Sequence, residues 1–170
     1  MIIIFQNMNI VKAVYDDIEM IVPIYDKARK FMADNGNSNQ WINGYPSIEI
    51  ITEDIINGNC FICKNDEGII VGAFTFIIGD DPTYEKIYSG QWLNDKPYGV
   101  IHRLASNGTT HGITKTCIEW CLKQIQNIRI DTHADNKIMQ SLMLKYGFEY
   151  CGIIHTHNGT ERLAYQITEG

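Results

Sequence analysis

Two kinds of strand connection alternate along this chain, and together they leave few folds open. Asn158-Gly159 separates the apolar runs Phe148–Ile154 and Thr160–Ile167, and Asn-Gly is the strongest short hairpin signal. The strand-like run Tyr98–Ala105 is instead followed by a helical pattern and then by a further strand, Ile128–Thr132. Because hairpins join antiparallel strands and helical crossovers join parallel ones, the sequence predicts a mixed sheet.

Apolar residues recur at helical spacing in several other segments, and most have a recognisable start or stop. Together the segments predict an α/β (α+β) fold with a mixed, central twisted sheet of about seven strands and helices on both faces. In chain order we predict strand Asn9–Val14, a helix from Asp16 or Asp17 to about Asp34, a helix from Ser47 to Gly58, strands Cys60–Lys64 and Ile69–Ile78, strand Tyr98–Ala105, a helix from Gly112, strand Ile128–Thr132, a helix from about Asp135 through Lys145, and strands Phe148–Ile154 and Thr160–Ile167.

Composition narrows the class of protein. With 170 residues and 45% hydrophobic content, we expect one domain over residues 8–168 and an N-terminal extension of residues 1–7, with Met8 open as an alternative start. The net charge of −6 argues against a nucleic-acid partner. The sequence has no run of 18 apolar residues and no secretory signal, so we expect a cytoplasmic protein without a membrane partner. Because the cytoplasm is reducing, we expect its five cysteines to be free thiols.

The stretch between Tyr98 and Trp120 reads as a strand, a short glycine-containing turn and a helix. Such a turn points main-chain N–H groups and a helix N-terminus at one place, which suits a phosphate or pyrophosphate. Gly108 and Gly112 let the main chain approach such a ligand closely. An ordinary strand-to-helix connection is the alternative that these residues leave open.

The whole order, from about Met8 to Ile167, resembles the GNAT superfamily of acyl-CoA-dependent N-acyltransferases. Met8–Ala13 is similar to the first strand of that family and Ile101–Ser106 to its fourth. Asn136, eleven residues before Gly147-Phe148, is similar to its asparagine–helix–Gly-Phe signature. The resemblance implies direct transfer of an acetyl group, in a ternary complex, from acetyl-CoA to a primary amine of a small molecule or peptide. The alternatives are a non-catalytic acyl-CoA-binding or regulatory module and an unrelated α/β domain.

The resemblance also implies where coenzyme A binds, although only Gly112 matches the phosphate-loop pattern of the family. The main-chain N–H groups remain available, and His111 or Lys115 is expected to add positive charge. Asn136 either holds the cofactor or caps a helix. The implied cofactor contacts are Leu104, Ala105, Ser106, Gly108, Thr109, Thr110, His111, Gly112, Ile113, Thr114, Asn136 and Met143.

Met143 stands where the family often has a tyrosine that protonates the leaving thiolate. A thioether cannot donate a proton, so we expect Met143 to pack on the pantetheine arm or in the core beside it. A thiol has a pKa near 8.5 and leaves with little assistance near neutral pH. We therefore still predict an enzyme.

The acceptor amine must lose a proton before it attacks, and His102, Tyr98 and His133 are the candidate catalytic residues. His102 is favoured because histidine titrates near neutral pH and lies on the strand expected beside the thioester. A structural histidine is the alternative. Asp131 is a further candidate, as a base, as a substrate contact or as an ion-pair partner of Arg103.

The acceptor pocket is expected between the region that follows the first helix and the long irregular segment 79–97. Aromatic side chains there can cage a cationic amine. No metal site is expected, because Cys60 and Cys63 would face opposite sides of a strand. A homodimer is left open. The predicted substrate-binding residues are Trp41, Tyr45, Trp92 and Asp131.

Overall fold

The computed structural model describes residues 7–169, so the predicted N-terminal extension lies outside it apart from Asn7. Within that range the predicted order of strands and helices is confirmed. The elements are β1 (Asn9–Lys12), α1 (Ile18–Asp34), α2 (Ile48–Ile56), β2 (Cys60–Lys64), β3 (Ile70–Ile78), β4 (Gly99–Ser106), α3 (Ile113–Gln124), β5 (Asn127–Thr132), α4 (Lys137–Lys145), β6 (Glu149–His155) and β7 (Glu161–Thr168).

The seven strands form one mixed sheet, as predicted, in the order β1-β2-β3-β4-β5-β7-β6. The strands β4 and β5 are parallel and joined through α3, whereas the other neighbouring pairs are antiparallel. Hairpins join β2 to β3, turning at Asn65–Gly68, and β6 to β7, turning at Asn158-Gly159 as predicted.

Helices cover both faces of the sheet. Two apolar clusters result, because alternate residues of each strand face opposite sides. Cys60 belongs to one cluster and Cys63 to the other, as the strand geometry predicts. The face covered by α1 and α2 buries Ile21, Tyr25, Ile51, Ile62, Ala73 and Ala105. The face covered by α3 and α4 buries Phe74, Cys117, Cys121, Ile128, Met143 and Phe148.

The irregular segment 79–97 covers the α1 side of the sheet beyond β4. It contains a single 3-10 turn, Pro82–Tyr84, and its aromatic residues pack on the strands. A buried polar network fixes its far end: Asn127 donates to the side chain of Asn94 at 3.0 Å, and Gln166 donates to Asn127 at 2.7 Å. The segment is thus a fixed wall of the fold.

The strands β4 and β5 part soon after they meet. Their ladder has two residue pairs, Gly99 with Ile128 and Val100 with Arg129. Beyond it, β4 bulges where its register against β3 shifts, and Arg103 has a main-chain φ of +50°. The parting of β4 and β5 opens the sheet over the end of β4 and creates the space in which the candidate site lies.

Three further observations concern the class of protein. No helix within residues 7–169 has the length and apolar character needed to cross a membrane. All five cysteines are buried and unpaired. Over the same described range, no group of three or more His, Cys, Asp or Glu side chains is placed to hold a metal ion.

Candidate active site

A cavity of about 500 Å³ lies over the gap between β4 and β5. The diverging strands form its floor, the segment after α1 forms one wall, and the segment after β3 forms another. The β6–β7 turn contributes Thr156, His157 and Asn158. The charged and aromatic side chains that line this acceptor cavity are Trp41, Tyr45, Asp81, His102, Arg103, Asp131 and Arg162.

His102 and Asp81 form a hydrogen-bonded pair in the acceptor cavity, with Nε2 of the histidine 2.9 Å from Oδ2 of the carboxylate. Burial raises the pKa of Asp81, but hydrogen bonds from His102 and Thr83 outweigh it and lower that pKa to about 2. An ionised carboxylate only accepts, so Nε2 is the donor. A neutral His102 therefore carries its free lone pair on Nδ1, where it can accept a proton.

The sequence Asp81-Pro82-Thr83 sets the orientation of this carboxylate. Oδ1 of Asp81 accepts from the main-chain N–H of Thr83 at 2.9 Å and from its hydroxyl at 2.6 Å. Pro82 fits the first position of the turn, since its fixed φ suits a helical start. Because Oδ1 is engaged with Thr83, Oδ2 is the oxygen left for His102.

Tyr84 ends the same turn and is a candidate site residue that no sequence pattern indicated. It is 1% exposed, and its hydroxyl donates to Oδ2 of Asp131 at 2.7 Å. Burial first, and then the charge of Asp131, raise the pKa of Tyr84 well above its usual value, so the phenol stays protonated. Oδ1 of Asp131 has no hydrogen-bond partner among residues 7–169, and it is the open acceptor of that side chain.

Arg103 pairs with Asp54 of α2, and the predicted pair of Arg103 with Asp131 is wrong. Its Nε and Nη2 donate to the two carboxylate oxygens of Asp54 at 2.8 and 2.7 Å, and its Nη1 donates to the hydroxyl of Tyr45 at 2.9 Å. The main-chain carbonyl of Arg103 accepts from Tyr25 at 2.8 Å. The bulge turns the guanidinium towards α2, and Tyr84 takes the place beside Asp131.

Gln40 joins the segment after α1 to the ends of β5 and α4. Its side-chain oxygen accepts from the amide of Asn37, the hydroxyl of Thr132, the N–H of His133 and the amide of Asn136, at 3.0 to 3.4 Å. Its main-chain oxygen accepts from Arg162 at 3.1 Å. No sequence motif indicated the contacts of Gln40 with Thr132, His133 and Asn136, because these three residues lie 92 to 96 positions away along the chain.

A second cavity of about 260 Å³, the donor groove, runs between α1 and α4 past the end of β4. It shares Met32, Leu104, Asn136 and Met139 with the acceptor cavity, so the two are continuous at the gap between β4 and β5. Lys27 and Lys137 line the donor groove. Lys115 and His111, the cations expected there, do not line it, and Lys115 lies 3.8 Å from Glu119 instead.

The turn before α3 contributes fewer free N–H groups than predicted. The N–H groups of Thr109 and Thr110 donate to the side chain of Asn107, and that of Gly108 donates to Ser106, at 2.9 to 3.3 Å. The start of α3 itself has no side-chain cap. The first N–H groups of α3 are therefore the donors left for an anion.

The predicted cofactor contacts fall into two groups. Leu104, Ala105, Ser106, Gly108, Thr110, Thr114 and Asn136 line the donor groove. Thr109, His111, Gly112, Ile113 and Met143 do not line it. Ile113 and Met143 are buried in the apolar cluster beneath α3 and α4, 2% and 0% exposed.

Asn136 is a helix cap in this structure, which was one of its two expected roles. Its side-chain oxygen accepts from the N–H of Met139 at 3.0 Å, and its amide donates to Gln40 at 3.0 Å. It also lies where the two cavities meet. Although Asn136 caps α4, it therefore also lies beside any ligand that extends through both cavities.

Three of the residues predicted to be catalytic or to bind the substrate lie outside both cavities. Tyr98 is 7% exposed, its hydroxyl accepts from the N–H of Asp81 at 2.9 Å, and Arg129 stacks on its ring. Trp92 donates to the carbonyl of Tyr84 at 3.0 Å. Nδ1 of His133 accepts from the N–H of Asp135 at 3.0 Å. All three support the walls of the site, and neither cavity includes them.

Comparison with solved structures identifies the family. A GNAT family acetyltransferase from Streptococcus agalactiae is 32% identical, with a TM-score of 0.87 over 98% of each chain. GNAT family acetyltransferases from Listeria monocytogenes and Bacillus cereus are 19% and 21% identical, with TM-scores of 0.71 and 0.62. They match 95% and 96% of this chain and 95% and 99% of their own.

The chain therefore belongs to the GNAT family of acetyltransferases, as the resemblance in its sequence predicted. No protein-family model matches the chain, and no curated protein matches it either. The fold similarity to the Listeria and Bacillus proteins extends over nearly the whole chain.

Proposed function

We propose that this acetyltransferase moves an acetyl group from acetyl-CoA to a primary amine by direct attack in a ternary complex. The observation that carries the proposal is the junction of the donor groove and the acceptor cavity at Leu104, Asn136 and Met139. A thioester at that junction lies within the β4–β5 gap. An amine in the acceptor cavity then has a direct approach to its carbonyl carbon.

The donor groove suits coenzyme A in charge and polarity. The uncapped N-terminus of α3 and the side chains of Lys27 and Lys137 favour the negatively charged pyrophosphate, and together they outweigh Asp135, the single carboxylate among residues 7–169 that lines the groove. Apolar walls from Ala28, Leu142 and their neighbours suit the pantetheine arm. With three N–H groups of the turn engaged internally, the helix N-terminus supplies most of the main-chain donors.

The acceptor cavity holds a candidate base, His102, whose ring is oriented by Asp81. With Nε2 bonded to Asp81, Nδ1 of His102 takes a proton from the acceptor ammonium, directly or through one water. The amine nitrogen then bonds to the thioester carbon and the carbon–sulfur bond breaks. The nitrogen loses its second proton to solvent as the amide forms. The departing thiolate, a good leaving group because its pKa is near 8.5, takes a proton from solvent. Asp81 is a positioning residue in this scheme.

The test is acceptor-dependent release of free thiol from acetyl-CoA. A panel of primary amines, assayed with wild-type protein and with His102→Gln, should give turnover with the first and a loss of about a hundredfold with the second. Binding of coenzyme A without turnover of any amine would support the non-catalytic module instead. Equal rates in both proteins would remove His102 from the mechanism.

A second experiment tests the position of the pyrophosphate. Thr114 lies in the first turn of α3 and lines the donor groove, where an acidic side chain favours the helix but repels a phosphate. Thr114→Glu should therefore keep or raise the melting temperature and weaken coenzyme A binding by about tenfold or more. Thr114→Gln, the uncharged control, should bind coenzyme A nearly as well as wild type. Equal affinity for the two variants, measured by calorimetry, would place the pyrophosphate elsewhere.

A further inference from the structure

Arg162 of β7 brings to the acceptor cavity a positive charge that the protein does not neutralise. Over residues 7–169 no carboxylate lies within ion-pair distance of it, whereas Arg103 is paired with Asp54. Its Nη2 donates to the carbonyl of Gln40 at 3.1 Å, and its Nε is buried without a partner. A guanidinium has five N–H donors, so most of the capacity of Arg162 is unused.

Arg162 and Asp131 lie on the same face of the sheet. Asp131 is paired with Ala164, which is two residues from Arg162 along β7. Residues two apart on a strand share a face, and diagonal neighbours across an antiparallel pair are about 7 Å apart. Both side chains line the acceptor cavity. They offer one open carboxylate oxygen and a largely unused guanidinium from diagonally neighbouring positions in the same cavity.

We propose, resting on the acetyltransferase function above, that the acceptor is an α-amino acid. Its carboxylate accepts from the guanidinium of Arg162, and its amine lies between Asp131 and His102. Guanidinium and carboxylate match in a planar, bidentate geometry, and a free guanidinium in a cavity selects for that group. Trp41 and Tyr45 line the rest of the cavity and take the side chain of the amino acid.

The step balances without a further reactant. The α-ammonium gives one proton to Nδ1 of His102, and the nitrogen bonds to the carbonyl carbon of acetyl-CoA. The nitrogen gives its second proton to solvent as the amide forms, the carbon–sulfur bond breaks, and the departing thiolate of coenzyme A takes a proton from solvent. The products are an N-acetyl amino acid and coenzyme A. The carboxylate on Arg162 is unchanged throughout and serves only to place the amine.

The experiment compares each amino acid with its own primary α-amide. The acid and the amide have the same side chain and the same α-amine, but only the acid has a negatively charged carboxylate. The amide has the less basic amine, so chemistry alone favours it. We expect the wild-type enzyme to prefer the acid by about tenfold or more in kcat/KM, because a charge-assisted pair with Arg162 is lost in the amide. Equal or better turnover of the amides would overturn the proposal.

Variants of Arg162 link that preference to its side chain. Arg162→Gln keeps an N–H donor for Gln40 and removes the charge, so it should raise KM for the acids about tenfold and leave KM for the amides unchanged. Arg162→Lys keeps the charge and loses the planar fork, so an intermediate KM is expected. Lys123→Gln removes one exposed charge from α3, away from both cavities. It should change neither KM for the acids nor KM for the amides.

Two controls keep this result separate from the proposed function. The melting temperature and coenzyme A affinity of Arg162→Gln should match wild type, which excludes a folding defect. Turnover of simple amines and amides with no preference for acids would overturn the amino-acid proposal and leave the acetyltransferase intact. Turnover of no acceptor of either kind would overturn both.

Discussion

Arg103 donates to both carboxylate oxygens of Asp54, at 2.7 and 2.8 Å, and this pair ties the bulge of β4 to α2. Arg103 has a left-handed main-chain conformation, which costs a residue with a side chain about 1 kcal/mol or more. The pair and the bond from Tyr25 to the carbonyl of Arg103 hold that conformation. They therefore also hold His102 and Leu104, its neighbours in the site.

Breaking this pair should affect stability and catalysis together. Both side chains are largely buried, so Asp54→Asn should destabilise the protein by about 3 kcal/mol and lower kcat more than it raises KM. Asp26→Asn is the matched control, since it breaks the exposed pair of Asp26 with Arg29 and should cost less than about 1 kcal/mol. Urea unfolding and steady-state kinetics measure both quantities. An unchanged kcat in a destabilised Asp54→Asn protein would limit the pair to a structural role.

Asp81 should contribute to stability in a defined range of pH. Its pKa of about 2 in the folded protein is below the unfolded value near 3.9, so its contribution is complete above pH 4 and is lost as pH falls from there through 2. The shift corresponds to roughly 2 to 3 kcal/mol. Urea unfolding of wild type and Asp81→Asn at several pH values should show a difference at pH 7 that shrinks below pH 4. A difference independent of pH would show that the carboxylate charge does not stabilise the fold.

Asn136 should act first as a cap. Asn136→Ala removes the acceptor for the N–H of Met139 and should cost about 1 kcal/mol. Asn136→Asp keeps the cap but places a carboxylate against the side-chain oxygen of Gln40. If Asn136 is only a cap, Asn136→Asp should be more stable than Asn136→Ala, and KM for acetyl-CoA should stay near wild type in both. A rise in KM of about tenfold in Asn136→Ala, at unchanged melting temperature, would instead show a direct contact with the donor.

Met143 should act through packing alone. It is fully buried in the cluster beneath α4 and does not line the donor groove. Met143→Leu should cost less than about 1.5 kcal/mol and keep near wild-type kcat. Met143→Tyr should overpack the core, destabilise it by about 1 to 3 kcal/mol, and give no faster turnover, because the phenol is not at the groove. A higher kcat in Met143→Tyr, with a pH profile shifted by the new acid, would show that this position reaches the leaving group.

The sequence predicted most of the architecture because hydrophobic periodicity is local. The strand-to-helix order and the Asn158-Gly159 hairpin depend on neighbours a few residues apart. The face of α4 that each residue occupies was harder to predict. Met139 and Leu142 line the groove, but Met143 lies in the core, because successive residues of a helix are rotated by about 100° and face different sides.

The candidate site was predicted only in part, because its contacts join residues that lie far apart in the sequence. His102 and Asp131 were singled out as chemically suitable residues on adjacent strands, and the structure brings both into one cavity. Their partners Asp81 and Tyr84 come from an irregular segment whose path periodicity does not determine. Gln40 and Asp54 likewise act across long sequence separations. Such contacts depend on which loops fold over which strands.

The two-pair ladder between β4 and β5 also bears on the order in which ligands arrive. Because the strands part at once, the donor groove and the acceptor cavity meet only at four residues and each has its own lining. Neither ligand has to pass through the site of the other, so either can bind first and either product can leave first. Steady-state kinetics should then follow a random sequential scheme, in which coenzyme A competes with acetyl-CoA and not with the amine.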